Sequence, residues 1–320
     1  MHVLVTGGCG YIGSVLVPRL RGDERVDRVT VLDDLSTGSP RALMGTLGGD
    51  VVQFRNGTVR EYGDVEAACR GADAVVHLAA ITGAASTHDR REETFATNYD
   101  GTKNVLNAAG KVGVDNVVFA SSCNIYGRAP RTDIDESVDP DPINPYAETK
   151  HQSETLLAEA KAEFDMQGTA LRMATNYGMA PGVRFNLVVN HFVFRALTGR
   201  ALTVYGDGSN WRPFVHVRDA ANAYLEAALA PDDWPSAVYN VGSNDGNYRI
   251  AEIAEIVSEE VAPVDVTYLE DEHPGPSYHV NFDRLAETGY ETEWTLREGV
   301  RDLRDAFVDG GESPLTPRDE

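Results

Sequence analysis

Lysine is scarce in this 320-residue chain, which carries only Lys103, Lys111, Lys150 and Lys161. Lysine and arginine together number 28 against 50 aspartates and glutamates, so the formal net charge is −22. A surface of this sign repels nucleic acids and anionic membranes, and we expect neither as a partner. High acidity with little lysine also suggests a halophilic protein, adapted to a salt-rich cytoplasm that screens its self-repulsion. An ordinary acidic protein is the alternative.

Long apolar segments are absent as well. No run approaches the length needed to span a bilayer, and His2–Thr6 has the pattern of a strand rather than of a secretion signal. We therefore expect a cytoplasmic protein. The three cysteines, Cys9, Cys69 and Cys123, show no metal-ligand spacing and are expected to be reduced. The eight histidines form no H-E-x-x-H pattern, so we predict no metal site.

Apolar strands alternate with helical patterns through the first half of the chain. Strands are predicted over 2–6, 29–32, 51–54, 74–78 and 117–120, and helices over 11–20 and 98–112. Nearly continuous apolar strands between helices indicate a parallel sheet that is covered on both faces. Right-handed crossovers then give an α/β fold with a doubly wound parallel sheet of the Rossmann type.

The second half is less regular and predicts a smaller α/β substrate lobe at the C-terminal side. Helices are expected over 146–164, 187–198, 249–261 and 296–307, and strands over 168–173, 215–217, 238–241 and 265–269. The strands at 215–217 and 238–241 are expected to return to the central sheet. The predicted division is a dinucleotide-binding domain of 1–173 with 214–241, a substrate lobe of 174–213 with 242–309, and a frayed tail of 310–320.

A glycine-rich turn follows the first strand and opens a helix. Gly7, Gly10 and Gly13 have the spacing G-x-x-G-x-x-G, and Gly8 completes a G-x-G-x-x-G pattern with the last two. Glycine lets the backbone turn tightly and approach a pyrophosphate, which the helix N-terminus attracts. A glycine string alone is weak evidence, but the strand before it and the helix after it indicate a dinucleotide site.

A carboxylate stands at the end of the second predicted strand. Asp33 lies twenty residues after Gly13, where it would accept hydrogen bonds from the adenosine ribose hydroxyls. The same charge would repel a 2′-phosphate, so we predict NAD rather than NADP. Asp34 is the alternative for this role.

The candidate catalytic residues are Tyr146, Lys150 and Ser122. Tyr146 and Lys150 form a Y-x-x-x-K pattern, and residues four apart share one face of a helix. A free phenol has a pKa of about 10, and a neighbouring ammonium favours the phenolate, which makes Tyr146 a candidate base. Ser122, at the end of the fifth strand, would hydrogen-bond the substrate oxygen.

Together these motifs resemble the extended short-chain dehydrogenase/reductase family, in particular its nucleotide-sugar epimerase and dehydratase branch. The resemblance runs from Val3 to about Phe307. It implies bound NAD, a nucleotide-sugar substrate and a homodimer paired through helices at about 98–112 and 146–164. Besides the glycines, Asp33, Asp34, Tyr146 and Lys150, it implies cofactor contacts at Tyr11, Ile12, Ser36, Thr58, Val59, Leu78, Ala79, Ala80 and Asn98. Thr58 stands where family members often carry an aspartate that contacts adenine.

The resemblance also implies a substrate site. Arg212 would grip the nucleotide diphosphate, since guanidinium groups match phosphate oxygens. The other candidate substrate-binding residues are Ser122, Thr175, Asn176, Asn186 and Tyr278. Thr175 stands where family members usually carry an asparagine, and Pro276 stands where many carry a second diphosphate-binding arginine.

The implied reaction is 4-epimerisation of a nucleotide sugar of the UDP-glucose/UDP-galactose type, with transient hydride transfer to bound NAD. Family dehydratases carry an Asp-Glu pair directly after the active-site hydroxyl, and decarboxylases usually carry a glutamate there. Cys123 and Asn124 occupy these positions here. A dehydratase, or a sugar dehydrogenase or reductase that exchanges NAD, remains the alternative. A non-catalytic NAD-sensing protein is a third reading, which the retained Tyr146 and Lys150 disfavour.

The acidic surface yields a direct test. If it is an adaptation to salt, screening should relieve repulsion among the carboxylates, and the thermal unfolding temperature should rise from low to multimolar sodium chloride. Circular dichroism measures this temperature. An unchanged value across that range would contradict the halophilic interpretation.

Overall fold

The computed structural model describes residues 1–47, 50–83, 86–128, 132–270 and 277–308. Its strands, in chain order, are β1 (His2–Thr6), β2 (Arg28–Asp33), β3 (Val52–Asn56), β4 (Ala74–His77), β5 (Asn116–Ser122), β6 (Gln167–Met173), β7 (Thr175–Tyr177), β8 (Leu202–Tyr205), β9 (Trp211–His216), β10 (Val238–Val241), β11 (Asn247–Arg249) and β12 (Val266–Leu269). Its α-helices are α1 (Gly13–Gly22), α2 (Tyr62–Cys69), α3 (Arg91–Phe95), α4 (Gly101–Val112), α5 (Pro145–Phe164), α6 (Val188–Leu197), α7 (Val217–Leu229), α8 (Ile250–Glu260), α9 (Asp283–Ala286) and α10 (Leu296–Val308).

A seven-stranded parallel sheet forms the centre of the molecule. Its strand order is β10-β6-β5-β4-β1-β2-β3, and β1 pairs in register with β2 on one side and β4 on the other. Residues of α1 and α7 contribute to the core on one face, and residues of α2, α4 and α5 to the core on the other. The predicted doubly wound, Rossmann-type sheet is confirmed. Strands β2 and β3 lie on one side of β1, whereas β4 and the later strands lie on the other, so the strand order reverses between β1 and β4. The carboxyl ends of these two strands therefore border a crevice.

The smaller lobe has its own sheets and core. One sheet has the order β11-β9-β7 and the other pairs β12 with β8. Val193 of α6, Ile253 of α8 and Leu303 of α10 are all fully buried in the core of this lobe. The helices predicted at 187–198, 249–261 and 296–307 are all present, within two residues of the predicted bounds.

The prediction that 215–217 returns to the central sheet is wrong. These residues belong to the end of β9 and the start of α7, and β9 pairs with β7 and β11 in the lobe. Only β10 rejoins the central sheet, beside β6. A short apolar run indicates a strand but carries no information about its pairing partner, because pairing is set by distant parts of the chain.

One helix starts later than expected, and another has a π-helical first turn. The predicted helix over 11–20 begins at Gly13, because residues 7–12 form the glycine turn. The predicted helix over 98–112 is present, and its first residues belong to a π-helical turn over Ala96–Asp100 that runs directly into α4. The predicted tail of 310–320 and Pro276 lie outside the described residues. Within the described part of the chain, the structure contains no helix long and apolar enough to cross a bilayer.

A buried ion pair fixes α5 against the central sheet. Arg172 of β6 donates from Nε and Nη2 to the Glu154 carboxylate on α5, at 3.0 and 2.8 Å. The two side chains are only 7% and 8% exposed. Arg172 also donates from Nη1 to the Tyr126 hydroxyl at 2.9 Å, and Tyr126 donates to Asn240 of β10 at 2.7 Å. The pair therefore joins α5 to two neighbouring strands.

Removing one partner of this pair should destabilise the fold strongly. Glu154→Gln leaves the Arg172 charge buried without a counter-ion, and we expect the free energy of unfolding to fall by about 3–5 kcal/mol. Urea unfolding followed by circular dichroism measures the change. Glu93→Gln is the matched control, because it removes an exposed pair with Arg90 and should leave the free energy of unfolding nearly unchanged. A Glu154 variant as stable as this control would contradict the prediction.

Candidate active site

The glycine turn packs directly against the chain that leaves β4. Gly7 has a φ of +72°, and a Cβ at this position would lie 2.7 Å from the Cα of Ala79. A Cβ on Gly13 would lie 2.6 Å from the Cα of Gly8. Both positions therefore require glycine. The turn and the Leu78–Ala80 segment lie side by side at the crevice, as a site for a dinucleotide requires.

The first turn of α1 suits an anion. The N–H groups of Ser14, Val15 and Leu16 donate to carbonyls that precede the helix, and the helix dipole is positive at this end. The first turn contains no acidic side chain. Gly10, Tyr11 and Ile12 precede it, with Gly10 N donating to Gly7 O at 3.0 Å. The backbone here fits a pyrophosphate.

The carboxylate of Asp33 braces the glycine turn. Its two oxygens accept hydrogen bonds from Cys9 N at 2.9 Å and from Leu35 N at 2.8 Å. Burial raises the pKa of this carboxyl group, and the two backbone hydrogen bonds counteract the rise. Since each carboxylate oxygen can accept more than one hydrogen bond, acceptor capacity remains for ribose hydroxyls.

The neighbouring residues predicted to contact the adenosine lie at the same edge. Asp34 accepts a hydrogen bond from Ser36 N at 2.9 Å, and its side chain also hydrogen-bonds Thr58. Val59, by contrast, is 4% exposed and packs under α4, where a Cβ on Gly101 would meet its side chain at 2.7 Å. Its contact with α4 shows a packing role.

Asn98 connects the cofactor side of the crevice to α5. Its Oδ1 accepts from Ile81 N at 2.7 Å, while its Nδ2 donates to Ile81 O at 2.9 Å and to Thr149 Oγ1 at 3.2 Å. Ile81 follows the Leu78–Ala80 segment, and Thr149 lies between Tyr146 and Lys150 on α5. The asparagine amide thus holds the helix that carries the candidate catalytic residues against the β4 loop.

Tyr146 and Lys150 lie in the first turns of α5, and Ser122 ends β5. Asn144 caps the helix by accepting from Ala147 N at 2.9 Å, and Pro145 occupies its first turn. The Lys150 Nζ is 5.8 Å from the centroid of the Tyr146 ring. Ser122 hydrogen-bonds the Tyr146 side chain. The structure therefore brings the three predicted residues together.

The neighbouring serine is engaged elsewhere. Ser121 donates to the Glu154 carboxylate, on the buried side of α5. Because its hydroxyl is used in this way, Ser122 is the serine that faces the phenol of Tyr146.

Burial governs the charges at this cluster. It lowers the pKa of Lys150 to about 7 and raises the pKa of Tyr146. The hydrogen bond from Ser122 and the positive charge of Arg184 oppose the rise at Tyr146. His77 is fully buried between Thr6 and Thr102, and burial lowers its pKa to about 3, so it is neutral and serves as a structural bridge.

The predicted substrate residues line the lobe side of the cluster. The guanidinium of Arg212 lies 4.8 Å above the ring of Tyr278. Tyr278 is 4% exposed, burial raises its pKa to about 12, and its side chain hydrogen-bonds Asn124. Asn124 Oδ1 accepts from Nδ2 of Asn144, the cap of α5, at 2.9 Å. Arg212 and Tyr278 are therefore linked to the start of α5, which carries the candidate catalytic residues.

Thr175 and Asn176 lie in β7 at the same side of the crevice. Asn176 Nδ2 donates to Ala174 O at 3.2 Å. Its Oδ1 is buried and has no hydrogen-bond partner among the described residues. An acceptor in this state is suited to a donor on a ligand.

Asn186 is exposed, and its Oδ1 accepts a hydrogen bond from Nε of the half-buried Arg184 at 3.3 Å. Sequence analysis selected the asparagine of this segment and missed the arginine two positions earlier. The sequence did carry a signal for Arg184, because this arginine lies in the same segment as Asn186, which the resemblance assigned to the substrate site.

A protein-family model described as the NAD dependent epimerase/dehydratase family matches residues 3–242. The chain belongs to this family. The predicted family and NAD as its cofactor are confirmed. The observed glycine turn fits that cofactor, because Gly7 and Gly13 leave no room for a Cβ. The N-terminus of α1 and the carboxylate of Asp33 border the same crevice.

Curated relatives of this epimerase/dehydratase chain cover several activities. Low-salt glycan biosynthesis protein Agl12 of Haloferax volcanii is 30% identical, over 96% of this chain and 99% of its own length. UDP-glucuronic acid decarboxylase 3 of Arabidopsis thaliana is 28% identical, over 96% of this chain and 89% of its own.

Solved structures show the same fold. UDP-glucose 4-epimerase of Thermotoga maritima with UDP-glucose has a TM-score of 0.86 at 26% identity, covering 97% of this chain and 99% of its own. UDP-glucose 4-epimerase of Thermus thermophilus with NAD has a TM-score of 0.83 at 29% identity, covering 96% and 99%. dTDP-glucose 4,6-dehydratase from Streptomyces venezuelae with NAD has a TM-score of 0.86 at 28% identity, covering 99% and 100%.

The bracing role of Asp33 can be tested with an isosteric change. Asp33→Asn places an amide where two backbone N–H donors converge, so one of the two hydrogen bonds is lost and the ribose meets a weaker acceptor. We expect NAD to bind about 10- to 100-fold more weakly. Calorimetric titration of cofactor-stripped protein measures the affinity.

Glu24→Gln is the control, because Glu24 is an exposed carboxylate away from the turn. An Asp33→Asn variant that binds NAD as tightly as this control would show that the carboxylate does not support the cofactor site.

Proposed function

We propose that this family member is an NAD-dependent nucleotide-sugar 4-epimerase of the UDP-glucose/UDP-galactose type. The observation that carries the proposal is the convergence of Tyr146, Ser122 and Lys150 beside the glycine turn, with no second acid and base next to Ser122. Epimerisation at a carbinol carbon needs one proton-transfer group, whereas elimination of water needs further acid–base groups.

The residues after Ser122 are unsuited to elimination. The thiol of Cys123 is buried and donates to Arg172 O at 3.0 Å, and burial raises its pKa far above its usual range. Asn124 carries an amide, which does not titrate, and is held by Asn144 and Tyr278. These three contacts favour a structural use of the positions where a dehydratase would place its acid and base.

In the proposed reaction, Tyr146 removes the proton from a sugar hydroxyl and later returns it. Ser122 hydrogen-bonds the same oxygen and shares the proton. Bound NAD would supply a reversible hydride acceptor for the sugar carbon. Lys150, in its protonated form, would favour the phenolate of Tyr146 by its charge and would hydrogen-bond the cofactor ribose. Asp33 and the first turn of α1 would hold the adenosine and pyrophosphate ends of this cofactor.

Arg212 supports the nucleotide-sugar part of the proposal. Its guanidinium is held over Tyr278 at the lobe side of the site, and a planar cation in this place suits a diphosphate. In the proposed reaction, the oxidised sugar must rotate before the hydride returns on the opposite face. This rotation requires that the diphosphate be the main anchor and that the sugar be held loosely.

The alternatives are a dehydratase and a dehydrogenase or reductase acting on the same class of substrate, and a non-catalytic NAD sensor. The relatives include a decarboxylase and a dehydratase, so the reaction has to be decided by its product. The homodimer, the cytoplasmic location and the halophilic character stay predictions, as does the division into a dinucleotide domain and a substrate lobe.

The decisive experiment is conversion of UDP-glucose deuterated at C4 by purified protein, without added NAD. We expect UDP-galactose that keeps its deuterium, because the hydride leaves and returns within one bound complex. Chromatography and mass spectrometry identify the product. A 4-keto-6-deoxy sugar, or turnover only with added NAD, would overturn the proposal in favour of a dehydratase or a dehydrogenase.

Tyr146→Phe is the matching variant in this assay. It keeps the ring and removes the phenol, and we expect kcat to fall about 10²- to 10⁴-fold with unchanged NAD content. Tyr205→Phe makes the same chemical change at an exposed position and should not alter turnover. Full activity in Tyr146→Phe would show that the base lies elsewhere.

A further inference from the structure

Glu154 receives hydrogen bonds from two neighbouring strands of the central sheet. Arg172 of β6 donates from Nε to Oε1 at 3.0 Å and from Nη2 to Oε2 at 2.8 Å, and the hydroxyl of Ser121 on β5 also donates to Oε1. Ser121 is 2% exposed and the Glu154 side chain is 8% exposed, so these contacts lie inside the protein. Because Arg172 already bonds both carboxylate oxygens, the contact with Ser121 is not needed to compensate the buried charge. It links β5 directly to α5.

The two residues of this contact adjoin the two halves of the candidate catalytic cluster. Ser121 directly precedes Ser122 at the end of β5. Glu154 follows Tyr146 by two turns of α5, about 12 Å along the helix axis. Ser122 in turn hydrogen-bonds the Tyr146 side chain. The strand end, the helix and the two hydrogen bonds therefore form a closed ring, in which loss of one hydrogen bond is expected to loosen the other.

Further contacts hold the other side of Ser122 to β6. The turn that follows β5 covers Cys123–Tyr126. Cys123 Sγ donates to Arg172 O at 3.0 Å, and the Tyr126 hydroxyl accepts from Arg172 Nη1 at 2.9 Å. Arg172 therefore fixes the chain after Ser122, while Glu154 fixes the chain before it. The buried ion pair between β6 and α5 supports the candidate catalytic serine from both sides.

We propose that Ser121 and Glu154 are positioning residues for the candidate catalytic cluster. Their hydrogen bond holds the strand end that carries Ser122 against the helix that carries Tyr146, and it thereby aligns the serine hydroxyl with the phenol. A misplacement of about 1 Å in such a cluster can lower a rate by up to about 100-fold. The inference rests on the proposed function only for its first step, in which a sugar carbinol loses a proton to Tyr146 and a hydride to NAD, and not for the product.

Ser121→Ala tests the contact without breaking the ion pair, because Arg172 still bonds both oxygens of Glu154. The measured quantity is the single-turnover rate at which UDP-glucose reduces the nicotinamide of the NAD-loaded protein, followed by absorbance. We expect this rate to fall about 10-fold, with unchanged affinity for UDP and unchanged NAD content. A rate that falls while binding is preserved indicates misalignment of the reacting groups rather than a damaged binding site.

Ser137→Ala is the matched control. Ser137 also donates a hydroxyl hydrogen bond to a carboxylate, that of Asp135 at 2.5 Å, but both residues are exposed. This variant should react at the wild-type rate. A Ser121→Ala variant that reacts as fast as the control would overturn the proposal.

A second comparison shows whether Ser121 acts through the phenol. In the Tyr146→Phe background, the hydroxyl that Ser122 meets is absent, so Ser121→Ala should cause little further loss of rate. An equal loss in both backgrounds would also overturn the proposal, because Ser121 would then act on another part of the site. Epimerase, dehydratase and dehydrogenase reactions share the first oxidation of the sugar. A product other than UDP-galactose would therefore contradict the proposed epimerase and leave this comparison valid.

Discussion

The close contact between Gly7 and the backbone of Ala79 is the constraint on which the site depends. It brings the carboxyl end of β1 against the chain that leaves β4, at the point where the strand order of the sheet reverses. A side chain at Gly7 would separate these segments. Asp33 then fixes the outer part of the turn through Cys9 N, so the cofactor crevice is shaped largely by backbone contacts. Such contacts tolerate no larger residue, which explains why glycine spacing is informative here.

Helix α5 connects stability to chemistry. Tyr146, Lys150 and Glu154 follow one another at intervals of one turn, so one face of the helix carries the candidate base, its cation and the partner of Arg172. The buried ion pair anchors this face to β6, and Asn98 holds it to the β4 loop through Thr149. The positions of the phenol and ammonium therefore depend on polar contacts that lie one turn away, inside the protein.

The smaller lobe contacts both borders of the same crevice. Tyr11 of the glycine turn meets Asn190 of α6, which also holds the carbonyl of Arg184. On the other side, Tyr278 hydrogen-bonds Asn124, which is joined to the cap of α5. The lobe thus touches both the glycine turn and the start of α5.

The sequence by itself determined the parallel sheet, the NAD site and the Tyr146–Lys150 pair, because strand periodicity, glycine spacing and helix spacing are local properties of the chain. It did not determine that β9 belongs to the lobe, or that Ser121 turns to Glu154 while Ser122 faces Tyr146. These outcomes depend on which distant segments meet. Only tertiary packing decides them, since the partners are separated by dozens of residues and leave no periodic signal in the chain.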